Sequence, residues 1–139
     1  MTEVYDIDGS TAVSLTNVST RGFVDTGDNI MIGGFIVGGS EPATMLVKAA
    51  GPSLKSAPAS LTGVLEDPML ELHDSYGNVI TNDDWRETQE EEILATTMAP
   101  KDNKEPAILA TLLPGVYTAI VRGKDDTTGI AIVEAFKIK

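Results

Sequence analysis

Oxygen-bearing side chains in one acidic stretch are the residues best suited to chemistry in this sequence. They are Asp74, Asn78, Asn82, Asp83 and Asp84. Carboxylate and amide oxygens are the ligands that Ca²⁺ prefers, and a hairpin could bring Asp74 and Asp83 towards one another. The stretch therefore predicts a calcium site, although the same residue types also form turns and no Asp-x-Asp-x-Asp-Gly loop is present. A second group of this kind is Asp25, Asp28 and Asn29.

The usual catalytic groups are missing from the sequence. There is no cysteine and a single histidine, His73, so thiolate sites are excluded and zinc would lack ligands. His73 falls on the face of a predicted strand opposite Leu70 and Leu72, which favours a surface position. Ser53 lies outside any Gly-x-Ser-x-Gly motif, and no glycine pair leads into a phosphate-binding Lys-Ser/Thr helix start. We therefore expect no enzyme activity and no cofactor other than calcium.

The sequence suggests roles for two aromatic residues. Trp85, the lone tryptophan, could stack on a sugar ring from an exposed loop over residues 82–86. It could equally fill the end of the fold beneath that loop, because tryptophan is on average highly buried. Tyr117 follows Pro114-Gly115 and resembles a corner tyrosine that ties a turn to the core.

The charge of the chain limits its partners. A formal net charge of −11, from 21 acidic and 10 basic residues, argues against nucleic acid and anionic membrane surfaces, which both need clustered Lys and Arg. No apolar stretch is long enough to insert into a membrane. The acidic N-terminus lacks a signal-peptide pattern, so the sequence is expected to be either cytosolic or a mature form.

Alternating apolar residues and frequent turn signals predict an all-β domain over residues 1–139. The pattern indicates about eight short strands in an antiparallel two-sheet sandwich with jelly-roll or Greek-key connections. A glycine pair, Gly33-Gly34, predicts a bulge or a close backbone approach, and residues 123–128 are expected to form a polar hairpin loop. One short helical segment is predicted near residues 87–96, where Thr88 and Glu91 resemble a capping box. The predicted strands cover residues 12–18, 29–37, 44–50, 68–74, 78–82, 107–113, 116–122 and 129–138.

Several motifs in a fixed order resemble a secreted bacterial β-sandwich module, with the pattern NxSTRG, GDNxxIGGF, DPxLELxDxxG and LPGxYTAIVxG. They read LTNVSTRG (15–22), DTGDNIMIGGFIVGG (25–39), AAGPSL (49–54), DPMLELHDSYGNVITNDDW (67–85), LPGVYTAIVRG (113–123) and TTGIAIVEAF (127–136). The middle and last parts are similar to bacterial pre-peptidase C-terminal domains. This resemblance implies an accessory β-sandwich of a secreted or cell-surface protein, associated with adhesion, matrix attachment or carbohydrate binding, with no shared catalytic residues.

The N-terminal segment does not match the module. Residues 1–11 carry Val4, Tyr5 and Ile7 among acidic residues, and such an arm could pair with a sheet edge of its own domain or donate a strand to a neighbour. A freestanding copy of the module is expected to act by itself. The sequence therefore predicts an extracellular structural module that assembles with copies of itself into a surface filament or layer. The alternative is a module that binds glycan or extracellular matrix with the help of calcium.

Overall fold

The computed structural model describes residues 2–4, 17–56 and 58–139 of the chain. Its strands are β1 (Thr2–Val4), β2 (Asn17–Val24), β3 (Met31–Val37), β4 (Ala43–Ala50), β5 (Pro68–Asp74), β6 (Val79–Asn82), β7 (Ala107–Leu112), β8 (Gly115–Gly123) and β9 (Gly129–Lys137). Eight strands form two antiparallel sheets, in the orders β3-β8-β5-β6 and β2-β9-β4-β7, and β1 adds to the first sheet in parallel with β3. The prediction of an antiparallel two-sheet sandwich is confirmed.

The two sheets pack face to face, with β2 over β3, β9 over β8, β4 over β5 and β7 over β6. Side chains alternate between the two faces of a strand, so each strand sends every second residue into the space between the sheets. In β8, Tyr117, Ala119 and Val121 are buried there, and Ala131 and Val133 of β9 meet them from the other sheet. The alternation read from the sequence is confirmed for both strands.

Most connections in the described chain cross from one sheet to the other. Only β5 and β6 are consecutive in sequence and adjacent in one sheet, as the predicted hairpin requires. The prediction of a hairpin at residues 123–128 is wrong. This segment contains a 3-10 turn (Lys124–Asp126) and carries the chain from β8 to β9, which lie in different sheets.

The glycine pair in β3 marks a close approach rather than a bulge. The pairing of β3 with β8 runs without interruption through Gly33 and Gly34. A β-carbon on Gly33 would lie 3.3 Å from Cγ1 of Val133 in the opposite sheet. The missing side chain therefore lets the two sheets come together at this point.

A second apolar cluster lies outside the sandwich, on the outer face of the β2-β9-β4-β7 sheet. Trp85 and Ile93 pack there against Leu46 of β4 and Ala107 of β7. The helical segment predicted near residues 87–96 consists of a 3-10 turn (Trp85–Glu87) and a single helix, α1 (Glu90–Ala95). The predicted capping box is wrong, because Gln89 is the N-cap residue and no side chain caps the helix.

Within the described residues, no helix has both the length and the apolar character that a membrane crossing needs.

Candidate functional site

Asp74 and Asn78, two of the predicted calcium ligands, build the turn between β5 and β6. The Asp74 carboxylate accepts hydrogen bonds from the backbone N–H groups of Tyr76 (2.8 Å) and Asn78 (2.9 Å) and from the Asn78 side-chain amide (2.7 Å). The bond from the Asn78 side chain is the main reason why the pKa of Asp74 lies below its usual range. These donors already use the oxygens of Asp74, as the turn-forming alternative requires.

The other three predicted ligands lie at the opposite end of this hairpin. Leu70 pairs with Asn82, and Asp74 lies beyond the far end of the same ladder. Asp83 therefore follows the ladder at the level of Met69, which is about 17 Å from Asp74 at the usual rise of a strand. The expectation that the hairpin brings Asp74 and Asp83 together is wrong. In an antiparallel hairpin, each step forward along β6 lies one residue further back along β5, and so further from Asp74.

The same pairing brings Asp83 and Asp84 close to Asp67, a residue outside the predicted ligand set. Carboxylate oxygens of these three residues lie within 4.8 Å of one another. Lys124 compensates part of this charge, because its Nζ lies 2.6 Å from Oδ2 of Asp83. Burial raises the pKa of Asp67, and the negative charge of Asp83 raises it further. The position of Asp67 directly before β5 was the available signal, because it faces the residues that follow β6.

Within the described chain, this is the one group of three acidic residues with the spacing of a metal site. One carboxylate oxygen of Asp67 and one of Asp83 are buried and lack a hydrogen-bond partner among those residues. The predicted calcium set is therefore divided, and calcium stays a prediction that now concerns Asp67, Asp83 and Asp84. Lys124 is the cation that calcium would have to displace from Asp83.

The second acidic group forms the turn between β2 and β3. Oδ1 of Asp25 accepts the N–H of Thr26 (2.8 Å), and the N–H of Asp25 donates to the carbonyl of Asn29 (2.8 Å). Gly27 has a φ of +64° within this turn, a conformation that glycine adopts without strain. The residues predicted as a second ligand set, Asp25, Asp28 and Asn29, thus lie in a turn with the hydrogen bonds of an ordinary turn.

Trp85 is buried, with only 2% of its surface exposed. It lies in the cluster outside the sandwich, and the Arg86 guanidinium covers its ring at 4.2 Å from the centroid. Of the two roles that the sequence leaves open for Trp85, the structure therefore has the packing role, and it leaves no free ring face for stacking on a sugar.

Two further residues have structural roles. Nε2 of His73 lies 2.8 Å from Oε2 of Glu71, whose other oxygen accepts a hydrogen bond from Nε of Arg122 (3.1 Å). Burial acts to raise the pKa of Glu71, but the hydrogen bonds from His73 and Arg122 outweigh it and hold this pKa below its usual range. Tyr117 donates its hydroxyl to the carbonyl of Leu113 (2.6 Å), as expected of a corner tyrosine.

Glu105 is a buried carboxylate that sequence reasoning missed. It is 1% exposed, and its Oε1 accepts the backbone N–H groups of Gly51 and Ser53, both at 2.9 Å. A β-carbon on Gly51 would lie 2.0 Å from the carbonyl oxygen of Leu65, so this motif needs a glycine. The AAGPSL motif is thus a loop held by Glu105, which accepts the backbone N–H of Ser53, and the Ser53 hydroxyl has no hydrogen bond to a base among the described residues.

The edges of the two sheets differ in how they are closed. β1 pairs with β3 from Gly33 to Phe35, so it covers part of the β3 edge and is itself the outermost strand there. On β7, the Gln89 side-chain amide accepts the N–H of Leu109 (3.0 Å) and donates to its carbonyl (2.8 Å), and Oδ1 of Asn82 accepts the N–H of Ala107 (2.9 Å). Two side-chain amides thus take the place of a neighbouring strand.

Apart from the three-residue β1, two longer edges are open in the part of the chain that the structure describes. They belong to β2 and to β6, each of which pairs with one strand only. β2 lies over β3 and β6 over β7, so the open edges are on opposite sides of the sandwich. Of the predicted assembly residues, Val4 lies in β1, whereas Tyr5 and Ile7 fall outside the described residues.

Comparisons with known proteins bear on the fold. No protein-family model matches the sequence, and no curated protein matches it either. The structure is similar to the pre-peptidase C-terminal domain of a collagenase from Bacillus anthracis, with a TM-score of 0.54 and 12% sequence identity over 96% of this chain and 91% of that one. At this identity the likeness shows a shared fold. The resemblance that the sequence motifs suggested is therefore confirmed: the chain has the sandwich fold of a pre-peptidase C-terminal domain.

Proposed function

We propose that this domain is a non-enzymatic extracellular structural module of a bacterium, which assembles with copies of itself into a filament or layer through its open strand edges. One observation carries this proposal: side-chain amides close the β7 edge, whereas β2 and β6 have open edges on opposite sides of the sandwich in the part of the chain that the structure describes. Soluble proteins normally block exposed edges, because a free row of N–H and C=O groups recruits another strand. A subunit with open edges on opposite sides can be joined at both.

The β6 edge offers a short contact. Leu72 pairs with Ile80, and Asp74 exchanges a hydrogen bond with Asn78, so the even-numbered residues of β6 bond to β5. The N–H and C=O groups of Val79 and Thr81 therefore point away from the sheet. The side chains of Val79 and Ile80 are both exposed, and no charged residue interrupts β6.

The chemistry of the described residues supports a non-catalytic role. The carboxylates with perturbed pKa values are engaged in a turn, in an ion pair network around Glu71, or beside Lys124. The buried Glu105 holds a loop by accepting backbone N–H groups. None of these arrangements pairs a nucleophile with a base.

Proline substitutions at the edges test the proposal. Ser19→Pro in β2 and Thr81→Pro in β6 each remove an N–H that points outwards, whereas Thr111→Pro does the same on the closed β7 edge. We expect the wild type to form growing oligomers in concentration-dependent light scattering and filaments or sheets in negative-stain images. Combining Ser19→Pro with Thr81→Pro should leave a monomer, and Thr111→Pro should assemble normally. A wild type that stays monomeric at high concentration would contradict the proposal.

The second candidate is binding to an extracellular matrix polymer or glycan. It is favoured by the fold likeness to a domain of a collagenase and by Tyr76, which is 89% exposed at the tip of the β5–β6 turn. Binding to immobilised collagen and to a glycan array, each with and without calcium, would test it. Tyr76→Ala should lose the binding, and Leu94→Ala serves as a control on an exposed apolar residue of α1, outside both open strand edges.

A further inference from the structure

The β2 edge is the longer of the two open edges, and its backbone groups alternate in direction. The N–H of Ile130 donates to the carbonyl of Gly63 and its C=O accepts the N–H of Leu65, both on the side of β9 away from β2. Phe23 is opposite Ile130, so this is a pair without mutual hydrogen bonds, and the Phe23 backbone groups point outwards. By alternation, four residues of β2 point their N–H and C=O groups away from β9, where no described strand pairs with them: Asn17, Ser19, Arg21 and Phe23.

Resting on the proposed function, we infer that β2 pairs antiparallel with β2 of a second copy, with Ser19 of one chain opposite Arg21 of the other. In this register Asn17 lies opposite Phe23, and all four outward-facing residues of each strand meet outward-facing residues of its partner. The two copies would be related by a two-fold axis at Thr20. The contact buries part of Phe23, whose side chain is 60% exposed in the single chain.

The charges of β2 select this register. The chain has a net charge of −11, but β2 contains no acidic residue and one arginine, so no carboxylates of β2 face each other when two copies meet here. Shifting the second copy by two residues in one direction, to the next register in which outward-facing residues meet, would place Arg21 opposite Arg21. Like charges directly opposite each other are destabilising. Moving it the other way would place Arg21 opposite Asn17 of the second copy, which pairs with Phe136 and not with Glu134.

A complementary ion pair follows from the same register. Ser19 lies opposite Glu134 on β9, and Arg21 of the second copy lies on the other side of Ser19, on the same face. Arg21 and Glu134 are then two strands apart, about 10 Å between backbones, a gap that their two long side chains can bridge. Among the described residues, neither Arg21 nor Glu134 has an ion-pair partner within its own chain.

Engineered cysteines test the register directly, because the chain contains no cysteine of its own. A mixture of Ser19→Cys and Arg21→Cys chains should form a cross-linked dimer under mild oxidation, since opposite residues of a bonded pair lie about 5.5 Å apart. Either chain alone should cross-link poorly. Efficient cross-linking of Arg21→Cys alone, or of Ser19→Cys alone, would overturn the inferred register.

Charge reversal tests the interface independently. Arg21→Glu and Glu134→Lys should each weaken dimers by about five- to tenfold, because each creates two like-charge contacts. An equimolar mixture should recover wild-type affinity, because both contacts are then complementary. Sedimentation velocity measures the affinities, and thermal melting confirms that each variant is folded. If the mixture associates no better than the separate variants, the ion pair is wrong.

Two outcomes separate this inference from the proposed function. If the wild type assembles and Ser19→Pro assembles equally well, β2 is not the contact, and assembly through β6 still stands. If the wild type is monomeric at all concentrations and binds only an added extended peptide along β2, both proposals fail and β2 is a peptide-binding edge. We expect Ser19→Pro to lower the affinity by at least about tenfold through lost backbone hydrogen bonds, with Thr81→Pro leaving the dimer intact.

Discussion

At the scale of single residues, Asp67 is the carboxylate whose negative charge is least well compensated by its surroundings. Burial and the neighbouring Asp83 favour its protonated form, and one of its oxygens lacks a donor. Its pKa is raised above the ordinary 3.8, so the folded chain binds this proton more tightly than the unfolded chain. The stability that Asp67 contributes is therefore present at a pH below 3.8 and is lost as the pH rises through the raised pKa.

Asp67→Asn should therefore stabilise the fold at neutral pH by about 1 kcal/mol, since it removes the repulsion between a half-buried carboxylate and Asp83 and supplies a donor for Asp83. The gain should shrink as the pH is lowered through the raised pKa of Asp67, because Asp67 itself then becomes protonated. Urea unfolding at several pH values measures this difference. Asp28→Asn, in an exposed turn, controls for the loss of one negative charge. A constant gain across the pH range would contradict the explanation, and a loss of stability only in the presence of calcium would indicate a bound cation.

Glu105 differs from Asp67, because both of its carboxylate oxygens accept hydrogen bonds from backbone N–H groups. Glu105→Gln replaces one acceptor oxygen by an NH₂ group that would face the N–H groups of Gly51 and Ser53 or of Asp102. We expect a loss of about 1–3 kcal/mol in the free energy of unfolding, measured by urea denaturation. Glu66→Gln, at an exposed ion pair with Lys55, should change stability little. Equal effects of the two variants would show that Glu105 is not a clamp.

At the scale of elements, the closure of β7 by side chains gives a prediction for hydrogen exchange. Gln89→Ala removes both bonds to Leu109, so the Leu109 amide should exchange at least about tenfold faster. The Ile108 amide faces β4 within the sheet and should keep its protection, which makes it an internal control. Gln89→Glu should protect the N–H but repel the carbonyl. Faster exchange at both amides would mean that the whole strand has loosened and not only its edge.

The same scale shows which parts of the structure were predictable from sequence. Alternation in β5, β8 and β9 is a local signal, and it identified both the strands and their buried faces. The partners of a strand depend on register and on residues distant in sequence, so Asp67 was missed and Asp74 was wrongly placed beside Asp83. Gln89 was read as part of a helix start, because nothing local indicates that its amide would reach β7.

At the scale of the whole molecule, net charge opposes assembly and strand pairing favours it. A charge of −11 on each copy repels at long range, whereas the two exposed ion pairs across the β2 contact are worth at most about 1 kcal/mol each. Raising the salt from about 50 to about 500 mM should therefore strengthen association several-fold, because screening weakens the repulsion between whole chains more than it weakens the two ion pairs. Sedimentation at both salt concentrations measures this. Weaker association at high salt would show that ionic contacts dominate the interface.

The segment between β6 and β7 performs two tasks with one piece of chain. It carries Trp85 and Ile93, which cover the outer face of a sheet, and Gln89, which occupies the edge of β7. Its local opening would leave the core between the sheets intact while exposing an apolar surface and a fresh edge together. The aggregation-prone species in a concentrated solution is then a native-like chain in which this segment has detached from the sheet. Shelf life and heat tolerance would follow the free energy of that local opening and would be poorly reported by the global melting temperature.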